Sequence, residues 1–176
     1  MFRANLLTTV VSCGAVLPYL LRSESGTIIN VGSMGAIKAT CGMGAYAASK
    51  AGVVKLTEAL ADELKNRGIT VNAILPSVLD TPRNRADMPG ADFTRWVSPK
   101  AVAEVIVFLV SDLARAISGA TLSVAGAHDV TGVARYFRCT LGVPVAQRGH
   151  SMRSVACCAL VCPFLGYANS LTFWSV

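Results

Sequence analysis

The chain has 176 residues, of which 53% are hydrophobic and 15% are charged, and its formal net charge at pH 7 is +6. That length suits one domain, and so large an apolar share excludes an intrinsically disordered chain. Residues 1–129 hold 12 basic and 10 acidic side chains, whereas residues 130–176 hold four arginines and no acid. The positive balance therefore belongs to the tail. The sequence has no basic stripe with interleaved aromatics, so it gives no indication of a nucleic-acid partner.

The first predicted element is a helix from Ala4 to Leu21, apolar nearly all round. Such a helix is expected to be enclosed between a sheet and a partner helix. The run Leu6 to Leu21 has no charged residue. A secretory signal is therefore the rival interpretation. We favour the buried helix, with Gly26 ending the link to the next strand.

Strands and helices alternate along the rest of the chain to about residue 126. Short apolar runs bounded by turn residues predict buried parallel strands, and longer amphipathic runs predict helices between them. The predicted strands are 27–31, 69–75 and 119–126, and the predicted helices after the first are 45–66 and 99–111. A basic last turn with a glycine stop, Lys65, Arg67 and Gly68, ends the first of these helices, and Ser98 with Pro99 caps the second. This order predicts an α/β fold, a partial Rossmann-like doubly wound parallel sheet of three strands with flanking helices. With only three strands, the outer edge of the first would be open, which is a liability for association.

A long polar segment separates the second strand from the last helix. Residues 76–97 show no regular pattern, and such length predicts a lid or substrate loop. The plainer alternative is a solvated surface carrying Arg83, Arg85, Asp87 and Asp92.

Three polar residues lie where the first strand gives way to the second helix. Tyr46 and Lys50 are spaced i and i+4, so they share one helix face, and Ser33 follows the strand. A free tyrosine hydroxyl has a pKa of about 10 and is a poor acid–base group at neutral pH, but a neighbouring ammonium favours the phenolate. The pattern predicts a proton-transfer site in which a serine holds a substrate oxygen.

The surrounding sequence resembles the short-chain dehydrogenase/reductase family. The strand ends in Val-Gly-Ser, Tyr-Ala-Ala-Ser-Lys opens a long helix, and Ile-Thr-Val-Asn-Ala-Ile-Leu runs into a proline-containing loop. An asparagine on the preceding helix completes the likeness, which covers residues 1 to about 127. Asn5, Ser33, Tyr46 and Lys50 match the family's catalytic tetrad.

The resemblance implies hydride transfer between a nicotinamide and a substrate carbonyl or alcohol. Tyr46 would exchange the proton, Ser33 would hold the carbonyl and Asn5 would support a relay water. Lys50 would lower the pKa of the Tyr46 hydroxyl, and the two residues together would bind the cofactor ribose. Pro76, Leu79 and Thr81 match cofactor-binding positions, the last two at the nicotinamide carboxamide. Residue Ser77 departs from the glycine common in the family.

The loop at 76–97 looks specifically like that of dihydropteridine reductases. Those members lack the serine that stands here at position 33. The substrate therefore stays open between a pteridine-like compound and a carbonyl compound of the acyl-carrier or general ketone type.

The family's glycine-rich pyrophosphate turn has no counterpart in this sequence, so neither NAD nor NADP is favoured. Gly42-Met-Gly44-Ala-Tyr-Ala47 has suitable spacing, but residues 36–41 separate it from the strand, and we reject it. About a hundred residues of such a fold are expected upstream of Met1. The alternative to an enzyme is therefore an inactive half-domain that dimerises.

Further expectations concern domains, partners and location. Residues 1–127 form the predicted catalytic half-domain, and residues 128–176 form an unassigned, cysteine-containing apolar tail. A small carbonyl substrate is expected, with homo-oligomers formed through the helices at 4–21 and 45–66, and a cytoplasmic location. The six cysteines lack metal-ligand spacing, so no metal site is predicted.

Residues 154–176 carry no charge and could span a bilayer. Scattered polar residues and the soluble character of the family disfavour an anchor. A shifted reading frame or a non-family extension explains the tail equally well.

Overall fold

The computed structural model describes residues 1–23 and 25–126, together with the backbone of a short strand at 154–156. The strands are β1 (Gly26–Val31), β2 (Ile69–Pro76), β3 (Thr121–Val124) and β4 (Ser154–Ala156). They form one sheet in the order β3-β2-β1-β4, and every pairing is parallel. The helices are α1 (Thr8–Leu20), α2 (Gly44–Leu64), α3 (Pro82–Asp87) and α4 (Pro99–Val110). The predicted α/β, Rossmann-like class is confirmed.

Alternate residues of β1 enter two separate cores, because successive side chains of a strand point to opposite faces. Ile28 packs against α1 and α2, whereas Ile29 packs on the side of α4. The first core comprises Cys13, Leu20, Ile28, Ala61, Leu64, Ile69 and Val71. The second comprises Ile29, Ile74, Val97, Leu109, Ala114 and Val124. Helices therefore cover both faces of the sheet, as the doubly wound pattern predicts.

Two buried asparagines hold the layers in register. Asn30 of β1 donates from Nδ2 to Thr57 Oγ1 of α2 at 2.9 Å. Asn72 of β2 donates to the Ile117 carbonyl at 2.8 Å and accepts from the Ala120 amide at 3.0 Å. Because buried polar groups need partners, these bonds favour one alignment of strand, helix and turn.

Helix α1 is predicted to lie between the sheet and a partner helix, and among the described residues it is covered on one face only. A π-helical turn, Arg3–Leu7, leads directly into it. The helix then buries one narrow face, Thr9, Cys13 and Leu20. Val11 and Tyr19, on the other side, are 61% and 70% exposed. One face of α1 therefore packs on the sheet and beside α2, while its opposite face is exposed in the part of the chain the structure describes.

The helix ends follow the predicted chemistry. After α2 a 3-10 turn carries Lys65 and Arg67, and Gly68 then adopts the left-handed conformation with φ 69°. Ser98 caps α4, and its hydroxyl oxygen accepts a hydrogen bond from the Ala101 amide at 3.1 Å. Both ends match the predicted stop and start signals.

The segment between β2 and α4 is more regular than predicted. It contains α3 and a 3-10 turn, Phe93–Arg95, and a parallel bridge joins Leu79 to Val97. Thr81 caps α3 and Pro82 opens it, which is a favoured start that the irregular sequence pattern concealed. The expectation of a segment without regular structure is therefore wrong.

The outer edge of β1 is partly paired. Gly26, Thr27 and Ile28 align with Ser154, Val155 and Ala156 of β4. The expectation of a fully open edge is wrong over these three residues, because backbone groups from the tail lie in register with it.

The rest of the tail, including most of the suggested membrane segment, lies outside the described residues. The domain boundary at 127 stays a prediction. Among the described residues, no helix has the length and apolar character needed to cross a membrane.

Candidate active site

The predicted site residues surround the carboxyl ends of β1 and β2. Val31, the last residue of β1, lies opposite Ile74 of β2, and the Gly32 amide donates to the Ile74 carbonyl at 2.8 Å. Ser33 follows at once, while β2 continues to Pro76. Ligands of open parallel sheets bind outside these strand ends. The candidate serine therefore lies at the edge of the sheet where such sites form.

Ser33 and Tyr46 face a common space beside Gly35. The Ser33 hydroxyl oxygen accepts from the Gly35 amide at 3.1 Å. A Cβ at Gly35 would lie 3.5 Å from Ser33 Oγ and 3.5 Å from Tyr46 Cε1. The glycine thus keeps open a gap between the hydroxyl and the phenol ring. The ring atoms that face this gap are Cε1 and Cδ1, so Ser33 Oγ and one edge of the Tyr46 ring lie beside the same glycine.

Lys50 brings a buried ammonium to the same strand end. Its side chain is 3% exposed, and Nζ donates to the Val31 carbonyl at 3.0 Å. Burying a charge without polar partners is costly, so this contact helps to fix the ammonium where β1 ends. Lys50 also lies one helical turn after Tyr46, on the same face of α2.

Asn5 is joined to the candidate site through Ser49, which the sequence pattern did not single out. The asparagine is 4% exposed, and its Nδ2 donates to Ser49 Oγ at 2.9 Å. The Asn5 carbonyl accepts from the Thr9 hydroxyl at 2.7 Å. The structure thus connects Asn5 to the turn of α2 that carries Tyr46 and Lys50. The only sequence signal for Ser49 was its place inside the Tyr-Ala-Ala-Ser-Lys motif.

Pro76, Leu79 and Thr81 lie on the segment that leaves the same sheet edge. Leu79 packs its side chain into the core beside α4, and the Thr81 hydroxyl accepts from the Asn84 amide at 3.2 Å. Asn84 also donates from Nδ2 to the Leu79 carbonyl at 2.8 Å. Asn84 therefore orders this segment, a role that its sequence context does not reveal. The cofactor contacts of all three residues stay predictions.

Arg85 joins the two ends of this segment. Its guanidinium donates to both carboxylate oxygens of Asp80, at 2.6 and 2.8 Å, and lies 4.8 Å from the centre of the Phe93 ring. The hydrogen bonds from Arg85 lower the pKa of the Asp80 carboxyl below its ordinary value of 3.8. Asp80 and Phe93 are thereby held to the same side chain of α3.

A shallow depression of about 250 Å³ lies on this segment, lined by Val78, Asp92, Arg95 and Trp96. None of the four tetrad residues lines it. We therefore locate the candidate site at the strand ends, where the polar groups converge, and not at this depression. In the described part of the chain, no cluster of three or more histidine, cysteine or acidic side chains is suited to hold a metal ion.

Comparison with known proteins gives a family match over most of the chain. The family model described as Enoyl-(Acyl carrier protein) reductase matches residues 1–127. The 3-oxoacyl-(acyl-carrier-protein) reductase FabG of Thermotoga maritima is 37% identical over 119 residues. That alignment covers 63% of this chain and 48% of the relative.

Solved structures of dehydrogenases and reductases are also similar to this chain. A 3-oxoacyl-(acyl-carrier protein) reductase of Brucella melitensis with bound NAD is similar with a TM-score of 0.59 and 30% identity, covering 69% of this chain and 48% of that one. A short chain dehydrogenase of Shigella flexneri complexed with NADP gives a TM-score of 0.62 and 29% identity, covering 68% and 49%. The chain spans about half the length of the relatives it matches.

Proposed function

The chain belongs to the short-chain dehydrogenase/reductase family, and from this we propose that it carries the proton-transfer site of a nicotinamide-dependent oxidoreductase. The substrate would be a carbonyl compound or the corresponding alcohol. The observation that carries the proposal is the space beside Gly35, which Ser33 Oγ and the Tyr46 ring both face. The buried Lys50 ammonium at the end of the same strand supports it.

Each polar group has a separate task in this proposal. Tyr46 gives its phenolic proton to the carbonyl oxygen in reduction and takes it back in oxidation. Lys50 stabilises the phenolate by its positive charge. Ser33 donates a hydrogen bond to the same substrate oxygen and orients the carbonyl.

The residues present suit the nicotinamide end of a dinucleotide. Ser33, the Tyr46 ring and the buried Lys50 ammonium lie at the carboxyl ends of the strands, which is the usual ligand edge of a parallel sheet. Tyr46 and Lys50 would hold the ribose, Leu79 and Thr81 would contact the carboxamide, and Pro76 would line the cofactor beside them. A bound nicotinamide would supply or accept the hydride.

The choice between NAD and NADP stays open. The turn at Gly42–Gly44 follows a 3-10 turn, Met34–Ala36, and a loop instead of a strand. In the described residues it therefore lacks the context of a pyrophosphate-binding turn. The solved relatives include one with NAD and one with NADP.

We propose a 3-oxoacyl thioester as the substrate. Curated relatives of several bacteria are named 3-oxoacyl-(acyl-carrier-protein) reductases. The serine at position 33 also fits a carbonyl substrate better than the pteridine suggested by the loop at 76–97.

The test measures cofactor binding and turnover by the purified chain. NADH and NADPH are titrated by fluorescence, and oxidation of the bound nucleotide is then followed with a small acetoacetyl thioester. Tyr46→Phe should lower kcat at least about a hundredfold, because it removes the acid–base group. Tyr19→Phe, on the exposed face of α1, is the control and should leave kcat unchanged. A folded wild-type chain without saturable binding at millimolar nucleotide would overturn the proposal.

A second candidate function is self-association without catalysis. The π-helical turn and the exposed side of α1 present Leu7, Val10, Val11 and Tyr19, which are 43–70% exposed. Contiguous apolar surface of this kind is typical of interaction sites. We propose that two copies of the chain pair through the helices at 4–21 and 45–66.

The oligomeric state tests this pairing. Val11→Glu should convert the associated species to monomer in analytical ultracentrifugation, because a charge would be buried between the copies. Val107→Glu on α4 is the matched control, since Val11 and Val107 are 61% and 63% exposed. Equal effects of the two substitutions, or a wild-type monomer at all concentrations, would rule out an α1 interface.

A further inference from the structure

Ser49 connects two elements of the candidate site through one buried hydroxyl. It accepts from Asn5 Nδ2 at 2.9 Å and donates to the Tyr46 carbonyl at 2.7 Å. The residue has no exposed surface. Both hydrogen-bonding functions of the hydroxyl are therefore used, and water is excluded from the contact.

The partner side of this contact is equally constrained. Asn5 lies in the π-helical turn before α1, and its carbonyl accepts from the Thr9 hydroxyl at 2.7 Å. Next to it, Leu6 packs on Gly52 of α2 so closely that a Cβ at Gly52 would lie 2.9 Å from Leu6 Cδ2. The turn thus rests directly on α2, and the Asn5 carboxamide is aimed at Ser49.

The position of this bond matters because the two groups proposed to contact the substrate oxygen lie on different elements. Ser33 belongs to the end of β1, whereas Tyr46 lies on the first turns of α2. Ser49 directly precedes Lys50, whose ammonium contacts the Val31 carbonyl. A small rotation of the start of α2 would therefore move the phenol and the ammonium together relative to Ser33.

We propose that Ser49 is a positioning residue for the proton transfer. By binding the Asn5 carboxamide it holds the first turns of α2 against the π-helical turn, and so sets the position of the Tyr46 phenol relative to Ser33. This inference rests on the proposed oxidoreductase function. Ser49 does not touch the substrate; it acts through Asn5 and Tyr46.

Thr57 provides a matched control on the same helix. Like Ser49 it is fully buried, accepts from an asparagine Nδ2, that of Asn30 at 2.9 Å, and donates to a backbone carbonyl, that of Val53 at 2.8 Å. Ser49→Ala and Thr57→Val each remove one such hydroxyl. Both substitutions should lower thermal stability, but only the first lies beside the proton-transfer groups.

The experiment compares the full chain with Ser49→Ala, Ser49→Thr, Thr57→Val, Asn5→Ala and the Asn5→Ala/Ser49→Ala double variant. For each, kcat, KM and the pH profile of kcat are measured with the acetoacetyl thioester. Ser49→Ala should lower kcat about ten- to a hundredfold with little change in KM, because a misplaced acid–base group slows the chemical step. It should also displace the pH profile, and Ser49→Thr, which keeps the hydroxyl, should recover part of the loss. The double variant should be no slower than the slower single variant.

Two results would overturn the inference, and they differ. If the wild type turns over and Ser49→Ala matches Thr57→Val in kcat and pH profile, Ser49 is merely structural and the proposed function stands. If the folded wild type shows no turnover, the proposed function fails and the positioning role fails with it.

Discussion

Gly35 shows how a single missing side chain shapes this site. A Cβ at that position would contact Ser33 Oγ and the Tyr46 ring at ordinary van der Waals distance. Its backbone needs no left-handed conformation, so its value is the space that it leaves. The motif spacing predicted that Ser33, Tyr46 and Lys50 would converge. It did not reveal Ser49 or Asn84, because buried side-chain hydrogen bonds depend on which elements pack together.

The Asp80–Arg85 pair carries a prediction at this same scale. Arg85→Gln should raise the pKa of the Asp80 carboxyl toward its ordinary value, because the main cause of its low pKa is the hydrogen bonds from Arg85. Since the folded pKa of Asp80 lies below its unfolded value, the pair stabilises the fold above the unfolded pKa. This contribution is lost as the pH falls through the folded pKa.

NMR titration of the Asp80 carboxyl carbon measures the change directly. Arg83→Gln, which breaks the separate Arg83–Asp87 pair on α3, is the control and should leave the Asp80 titration in place. An unchanged Asp80 pKa in Arg85→Gln would show that the guanidinium is not its cause.

The helices differ in how much of their structure could be predicted from the sequence. The ends of α2 and α4 follow local chemistry, a left-handed glycine and a serine cap, and both were predicted. The π-helical turn before α1 and its exposed apolar side were not. Local hydrogen bonding decides where a helix ends, whereas its environment depends on what packs against it.

Two glycines give opposite predictions for helix stability. Gly68→Ala should lower the free energy of unfolding by roughly 1 kcal/mol or more, because φ is 69° and a Cβ is disfavoured there. Gly14→Ala, inside α1 with open space at its Cβ, should raise it by about 0.5–1 kcal/mol. Chemical denaturation of the two variants beside the wild type measures both changes. A stabilised Gly68→Ala variant would contradict the left-handed assignment.

At the scale of the whole molecule, the outer edge of β1 is only partly paired. β1 is fully paired with β2 on one side, and β4 pairs with it on the other only over Gly26–Ile28. An unpaired strand edge is a template for association. The tail strand therefore protects part of an edge that the three-strand prediction left open.

Ending the chain after Ala127 tests this protection. The shortened protein should expose the outer edge of β1 and associate or lose solubility at concentrations where the full chain does not. Sedimentation velocity follows the association. Hydrogen exchange should speed up at the Thr27 amide, which faces β4 because the Gly26 amide bonds to Gly68 on the β2 side, while residues 71–75 of β2 serve as the internal control. A shortened chain that matches the full chain in both measurements would show that β4 does not protect the edge.

The sequence by itself determined the order of the first three strands and of α1, α2 and α4, the fold class and the positions matching the tetrad. These depend on local periodicity, turn residues and motif spacing, which the chain carries without reference to distant contacts. Only the tertiary structure decided that Asn5 reaches Ser49, that one side of α1 stays exposed and that the tail supplies a fourth strand. These features depend on which surfaces meet, and residues 44 to about 130 positions apart in the chain form the contacts concerned.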